Sequence, residues 1–165
     1  MFATYHTTTR RMAGVAQLVQ IATPFIWGGM VGAISFLEAP LKFRAPGITL
    51  PLGLGIGRLV FTALNRIECG LAAILALAYV LHRPPRAVLA LFGGAAAILL
   101  GQTAWLRPAL DRRATLTIAG TPPPRSHHHR TFVVLEGVKL GMLIVLGIIT
   151  AQHMRDQPCD GSEMK

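Results

Sequence analysis

Seven polar side chains stand in or beside long apolar runs: Glu38, Arg58, Asn65, Arg66, Glu68, Glu136 and Lys139. Their types are those that bind and exchange ions. An ionisable group in hydrocarbon costs about 2.5–3.5 kcal/mol even on the lowest scales, so it is kept where it is paired or functional. Asn65 and Glu68 are three residues apart, as are Glu136 and Lys139, so each pair shares a helix face. Glu68 is expected to meet Lys139, and Arg66 to meet Glu136. Glu38 and Arg58 are expected at the rim. Two readings suit this set. One is an ion-pair network tying two spans together. The other is a half-channel or vestibule for an ion or an anionic solute. Arg66 and Lys139 are also long enough to snorkel to the interface.

A second chemistry is suggested by His127, His128 and His129. Imidazoles bind zinc, copper and haem iron. Successive helical residues point about 100° apart, so three in a row face one metal only from a loop. This opens a competing reading, a metal- or haem-dependent redox subunit. A haem held between helices normally takes its histidines from inside the spans, and the spans offer none before His82 at the end of the second. No cofactor is therefore expected, with a metal at the histidines as the open possibility. Gly53-Leu54-Gly55-Ile56-Gly57 looks like a phosphate-binding loop, but such a loop follows a strand and none precedes it. It is expected to be a flexible lead-in to a span. No Ser-His-Asp or Cys-His arrangement is suggested, so the expectation leans away from an enzyme.

The elements that must carry these residues follow from composition. The chain has 165 residues, 52% apolar and only 14% charged, with a mean hydropathy of +0.51. Soluble domains carry about 25% charged residues. Disorder and a disulfide scaffold are excluded by the same figures. Four apolar runs remain, at about 13–37, 59–81, 87–106 and 132–152. Each suits a membrane helix of about 20 residues, and none alternates like a barrel strand. The fold class is all-α, a single membrane domain of four transmembrane helices. The first run is too long for a cleaved leader, whose apolar part is about 7–15 residues, and is expected to be retained.

Punctuation agrees. Pro40 is expected to end the first span and Pro84-Pro85 to turn the chain between the second and third. Pro108 follows the third run, and Pro122-Pro123-Pro124 is expected to extend the 107–131 connection. Residues 153–165 read as a polar tail. Four alternating spans put the end of the first, the start of the second, the end of the third and the start of the fourth on one side. That side holds nearly all the polar residues, while the opposite half carries Gln17 and Gln20.

The net charge is +9. The basic residues fall mostly in the connections, where they suit anionic headgroups rather than nucleic acid. Their distribution leans towards connections one and three being cytoplasmic. Cys69 and Cys159 form no metal spacing. Small residues at spacing four (Gly28 and Gly32; Gly93, Ala97 and Gly101; Gly137 and Gly141) allow close helix packing, within the chain or with another copy or a larger complex. Short connections and arginine in place of lysine suggest a bacterial inner membrane.

One segment carries a resemblance. Trp27-Gly28-Gly29-Met30, Ser35-Phe36-Leu37-Glu38-Ala39-Pro40-Leu41-Lys42-Phe43 and Gly57-Arg58-Leu59-Val60-Phe61 run through residues 25–70. This resembles a four-span family known as domain of unknown function 4149, related to eukaryotic transmembrane protein 205. The resemblance implies four membrane helices and no particular reaction.

Overall fold

The computed structural model describes residues 2–121 and 127–156, with side chains from Gly14 onward. Helix α1 (Phe2–Val31) runs into a π-helical segment, Gly32–Glu38, then α2 (Ala39–Leu41) and a final 3-10 turn, Lys42–Arg44. Helix α3 is Leu50–Leu81. Helix α4 (Arg86–Gly101) passes through a second π-helical segment, Gln102–Leu106, into α5 (Arg107–Ile118). Helix α6 is His128–Arg155. No strand occurs among the described residues. Four helical rods, Gly14–Arg44, Leu50–Leu81, Arg86–Ile118 and His128–Arg155, are long and apolar enough to cross a membrane. The chain is an all-α integral membrane protein.

The rods outrun the apolar stretches, and three expectations are corrected accordingly. The second rod begins at Leu50 rather than 59. Thr49 caps it by accepting the Leu52 N–H, and Pro51 occupies the first turn, where its missing N–H costs nothing. The glycine run at 53–57 is therefore helical and not a flexible lead-in. Two of its glycines serve close approach: Gly53 lies under the Phe43 ring, and a Cβ at Gly57 would sit 3.1 Å from Lys42 Nζ. The third rod continues through Pro108 to Ile118, so residues 107–118 are helix, not an extended connection. It stops where Gly120 turns to φ 76°. There the Thr121 N–H reaches the Leu116 carbonyl at 2.9 Å and the Gly120 N–H reaches Thr117 at 3.1 Å. The fourth rod extends to Arg155, which makes the start of the expected tail helical. Pro122-Pro123-Pro124 and residues 157–165 lie outside the described residues.

Pro40 does not end the first rod either. It and Pro108 each stand two residues beyond a π-helical segment. A proline ring clashes with the carbonyl four residues before it and donates no bond. Widening the preceding turn to i→i+5 spacing makes room for the ring and lets the rod continue.

The rods pack as a closed square in which each touches the next and the first touches the fourth. Trp27, Val31, Ala95, Leu99 and Leu143 form one part of the core. Leu75, Tyr79, Val88 and Leu146 form another, towards the Pro84-Pro85 turn. Leu59, Val80, Leu100 and Val134 face outward, as lipid-facing side chains should. Gly28 and Gly32 lie against Leu140 of α6, with a Cβ at Gly28 only 3.3 Å from Leu140 Cδ1. Gly93 and Gly101 meet nothing within 4 Å, and Ala97 between them is exposed. The first small-residue face thus packs within the chain, and that of α4 looks out. Gly28→Val is expected to destabilise the bundle by about 1–3 kcal/mol, the range for overpacking a close contact, read as earlier thermal unfolding in detergent.

Candidate functional site

Polar side chains from all four rods meet in the bundle interior. Lys139 is at their centre and is 0% exposed, with Glu136 at 1% and Glu68 at 3%. A lysine ammonium has three N–H donors. Here Nζ donates to Glu136 Oε1 at 2.8 Å and to Gln102 Oε1 at 2.9 Å, and forms an ion pair with Glu68 Oε1 at 2.5 Å. The neighbours are satisfied in turn. Gln102 Nε2 donates to Glu136 Oε1 at 2.8 Å, Ser35 Oγ donates to Glu136 Oε2 at 2.7 Å, and Trp27 Nε1 donates to Glu68 Oε1 at 2.8 Å. Burying an ion costs several kcal/mol even after relaxation, and dense pairing and hydrogen bonding of this kind is what offsets it.

Both π-helical segments contribute here. Ser35 comes from the first and Gln102 from the second, and each bonds to Glu136. Segments of this kind are uncommon and concentrate at functional sites.

Towards the rim a second polar series joins α3 to the third rod. Asn65 Nδ2 donates to Thr103 Oγ1 at 2.7 Å. Arg107 donates to Asn65 Oδ1 at 2.7 Å and to Thr62 Oγ1 at 2.9 Å. Arg58 lies 3.7 Å from Asp111 and donates to Thr115 at 3.2 Å. Glu38 pairs with Lys42 at 3.3 Å, and the ammonium of Lys42 also faces the rings of Phe43 and Phe61. At the other end of the bundle Gln20 Nε2 holds the carbonyls of Ala78 and His82, closing the end of α3. Lys139 and the buried Thr150 are eleven residues apart on α6, about 16 Å of helix. Leu143, Leu146, Leu75 and Val88, all fully buried, fill that interval. The cluster is therefore continuous with polar groups on one side and closed by an apolar layer on the other.

The expected Glu68–Lys139 contact is present. The expected Arg66–Glu136 contact is not: Arg66 is exposed on the outer face of α3, one residue and about 100° past buried Asn65. Glu38 and Arg58 do lie at the rim, and Asn65 adjoins the cluster without entering it. Trp27, Ser35 and Gln102 belong to the site although none is among the site residues expected from the sequence. Signals were there: a tryptophan deep in a span needs a partner for its N–H, and Gln102-Thr103 is the polar break in the third run. His127 and His129 are exposed, while half-buried His128 packs edge-on against Trp105 at 6.0 Å between ring centres. Among the described residues no three His, Cys, Asp or Glu side chains converge as a metal site would require. Cys69 is exposed on α3.

No family model, no curated protein and no solved structure matches the chain. Its function has to be argued from the cluster itself.

Proposed function

We propose that this membrane protein handles a small cation at the Glu68–Glu136–Lys139 cluster, without enzymatic activity of its own. One observation carries the reading. Two carboxyl groups share a single ammonium at a depth where all three are at most 3% exposed. A structural ion pair needs one of each sign. A second acid leaves one negative charge for an incoming cation to balance, and intramembrane ionisable groups of this kind mark ion pathways. The rim series of Asn65, Thr103, Arg107, Arg58 and Asp111 offers polar groups on the way in. The apolar layer argues for binding or alternating access rather than an open pore.

The resemblance over residues 25–70 to a four-span family is compatible with this reading, and the arginine-rich short connections suit a bacterial inner membrane. The outward face of Gly93, Ala97 and Gly101 would suit a second helix, from another copy or a larger complex.

The test is flux in vesicles holding the purified protein, with an imposed proton or alkali-cation gradient. Glu136→Gln is expected to lower the flux at least about tenfold, because a hydrogen bond to a charged group contributes about 1.5–3 kcal/mol. Unchanged flux in Glu68→Gln, Glu136→Gln and Lys139→Met alike would leave the cluster a structural tie.

A further inference from the structure

The four carboxyl oxygens of the cluster are not equivalent. Glu136 Oε1 accepts from Lys139 and Gln102, and Glu136 Oε2 accepts from Ser35. Glu68 Oε1 accepts from Trp27 and is ion-paired with Lys139. Glu68 Oε2 is the one of the four that accepts no hydrogen bond among the described residues. Every donor around Glu136 therefore suits a carboxylate, whereas Glu68 keeps one oxygen free to carry a hydrogen.

We infer that the cation taken up by the cluster is a proton, that it resides on Glu68 Oε2, and that in this conformation it exchanges with the rim end. This deepens the ion-handling reading and rests on it for its function, though not for its test. With that proton the cluster holds one carboxylate, one ammonium and one neutral acid, and its net charge is zero. Without it, one negative charge stays unbalanced in hydrocarbon, where isolated charge is most costly. Uptake takes a proton from water at the rim and forms an O–H bond at Glu68; release returns it to water. No electron moves and no co-reactant is needed.

Among the described residues Glu68 touches two polar groups, the uncharged indole N–H of Trp27 from the first rod and the Lys139 ammonium from the fourth. Ser35 of the first rod and Gln102 of the third, both uncharged, contact Glu136 instead. Arg107 is engaged by Asn65 and Thr62, and Lys42 by Glu38, both nearer the rim. Among the described residues no histidine touches the cluster. Leu75, Leu143 and Leu146 block the route to the far side.

The experiment is infrared spectroscopy of the protein in lipid vesicles at neutral pH, read at the C=O stretch of a protonated carboxyl. Wild type is expected to show one such band, shifting in heavy water. Glu68→Gln is expected to abolish it. Glu136→Gln is expected to abolish it too, because Glu68 then pairs alone with Lys139. Lys139→Met, if it folds, is expected to double it. Absence of the band in wild type overturns the inference whatever the variants do, and so does a band that survives Glu68→Gln. A band that behaves as expected beside flux insensitive to Glu68 would sink the transport reading and leave the proton site standing. Flux that depends on Glu68 with no band would give the site to an alkali cation instead.

Discussion

Lys139→Met is expected to destabilise the protein by about 3–5 kcal/mol, the loss seen when one partner of a buried charge pair is removed. Methionine matches the length of lysine, so packing is roughly preserved and the loss reports charge. Three acceptors, on Glu68, Glu136 and Gln102, would face a thioether. The remedy distinguishes this account from simple misfitting. Adding Glu68→Gln and Glu136→Gln removes the stranded acids, and such full replacement of a buried ion set is often neutral. The triple variant is therefore expected to recover most of the stability. Reversible unfolding in mixed detergent, followed by tryptophan fluorescence, makes the comparison. A triple variant no more stable than Lys139→Met would mean that shape, not charge, decides.

Trp27 is the second large lever. It is fully buried, stands in the core beside Val31, Leu99 and Leu143, and gives its indole N–H to Glu68. Trp27→Ala is expected to cost about 3–5 kcal/mol, as for other large aromatic truncations. Trp27→Phe keeps most of the apolar volume and isolates the hydrogen bond, for an expected loss of about 1.5–3 kcal/mol. That loss should shrink in a Glu68→Gln background, because the bond then ends on a neutral amide. The same unfolding assay measures the coupling as a double-mutant cycle. Arg66→Gln is the contrast, since an exposed side chain away from such features is worth within about 0.5 kcal/mol. Equal losses for Trp27→Phe in both backgrounds would separate Trp27 from the cluster.

The four spans and the side on which their polar residues gather could be read from the chain, because hydropathy reports where lipid begins and ends. So could Glu68–Lys139, since two intramembrane charges of opposite sign on the second and fourth spans have few other partners. Helix length could not be read. At Arg107–Ile118 the helix turns polar as it continues into the headgroup layer, and hydropathy then sees a loop; at Leu50–Arg58 it stays apolar, but Pro51 and the alternating glycines read as a flexible lead-in. Arg66 was misplaced for a related reason. A helix face can be told from spacing, but which face turns inward is set by neighbours, and Asn65 won that position. Gln102 and Ser35 were missed because neutral polar residues are cheap enough in a membrane to carry little signal. Their angles also depend on wide turns that no pattern of residue types announces.

Those wide turns have a consequence for phase. A helix that spaces its bonds i→i+5 contains one residue more than an ordinary turn needs, so everything beyond it is rotated by about 100°. Upstream of each such turn, Trp27 and Leu99 are locked into the core. Glu38 at the end of one such turn and Lys42 beyond it, and Arg107 and Asp111 beyond the other, address the rim. The extra residue sets the angle between the two registers. Deleting a single residue from Gly32–Glu38 or Gln102–Leu106 would leave composition and span length almost unchanged, yet turn the rim away from its partners and press the proline ring back against the preceding carbonyl. Loss or gain of one residue within these rods thus does what no single side-chain replacement does: it uncouples the buried charges from the groups that lead to them.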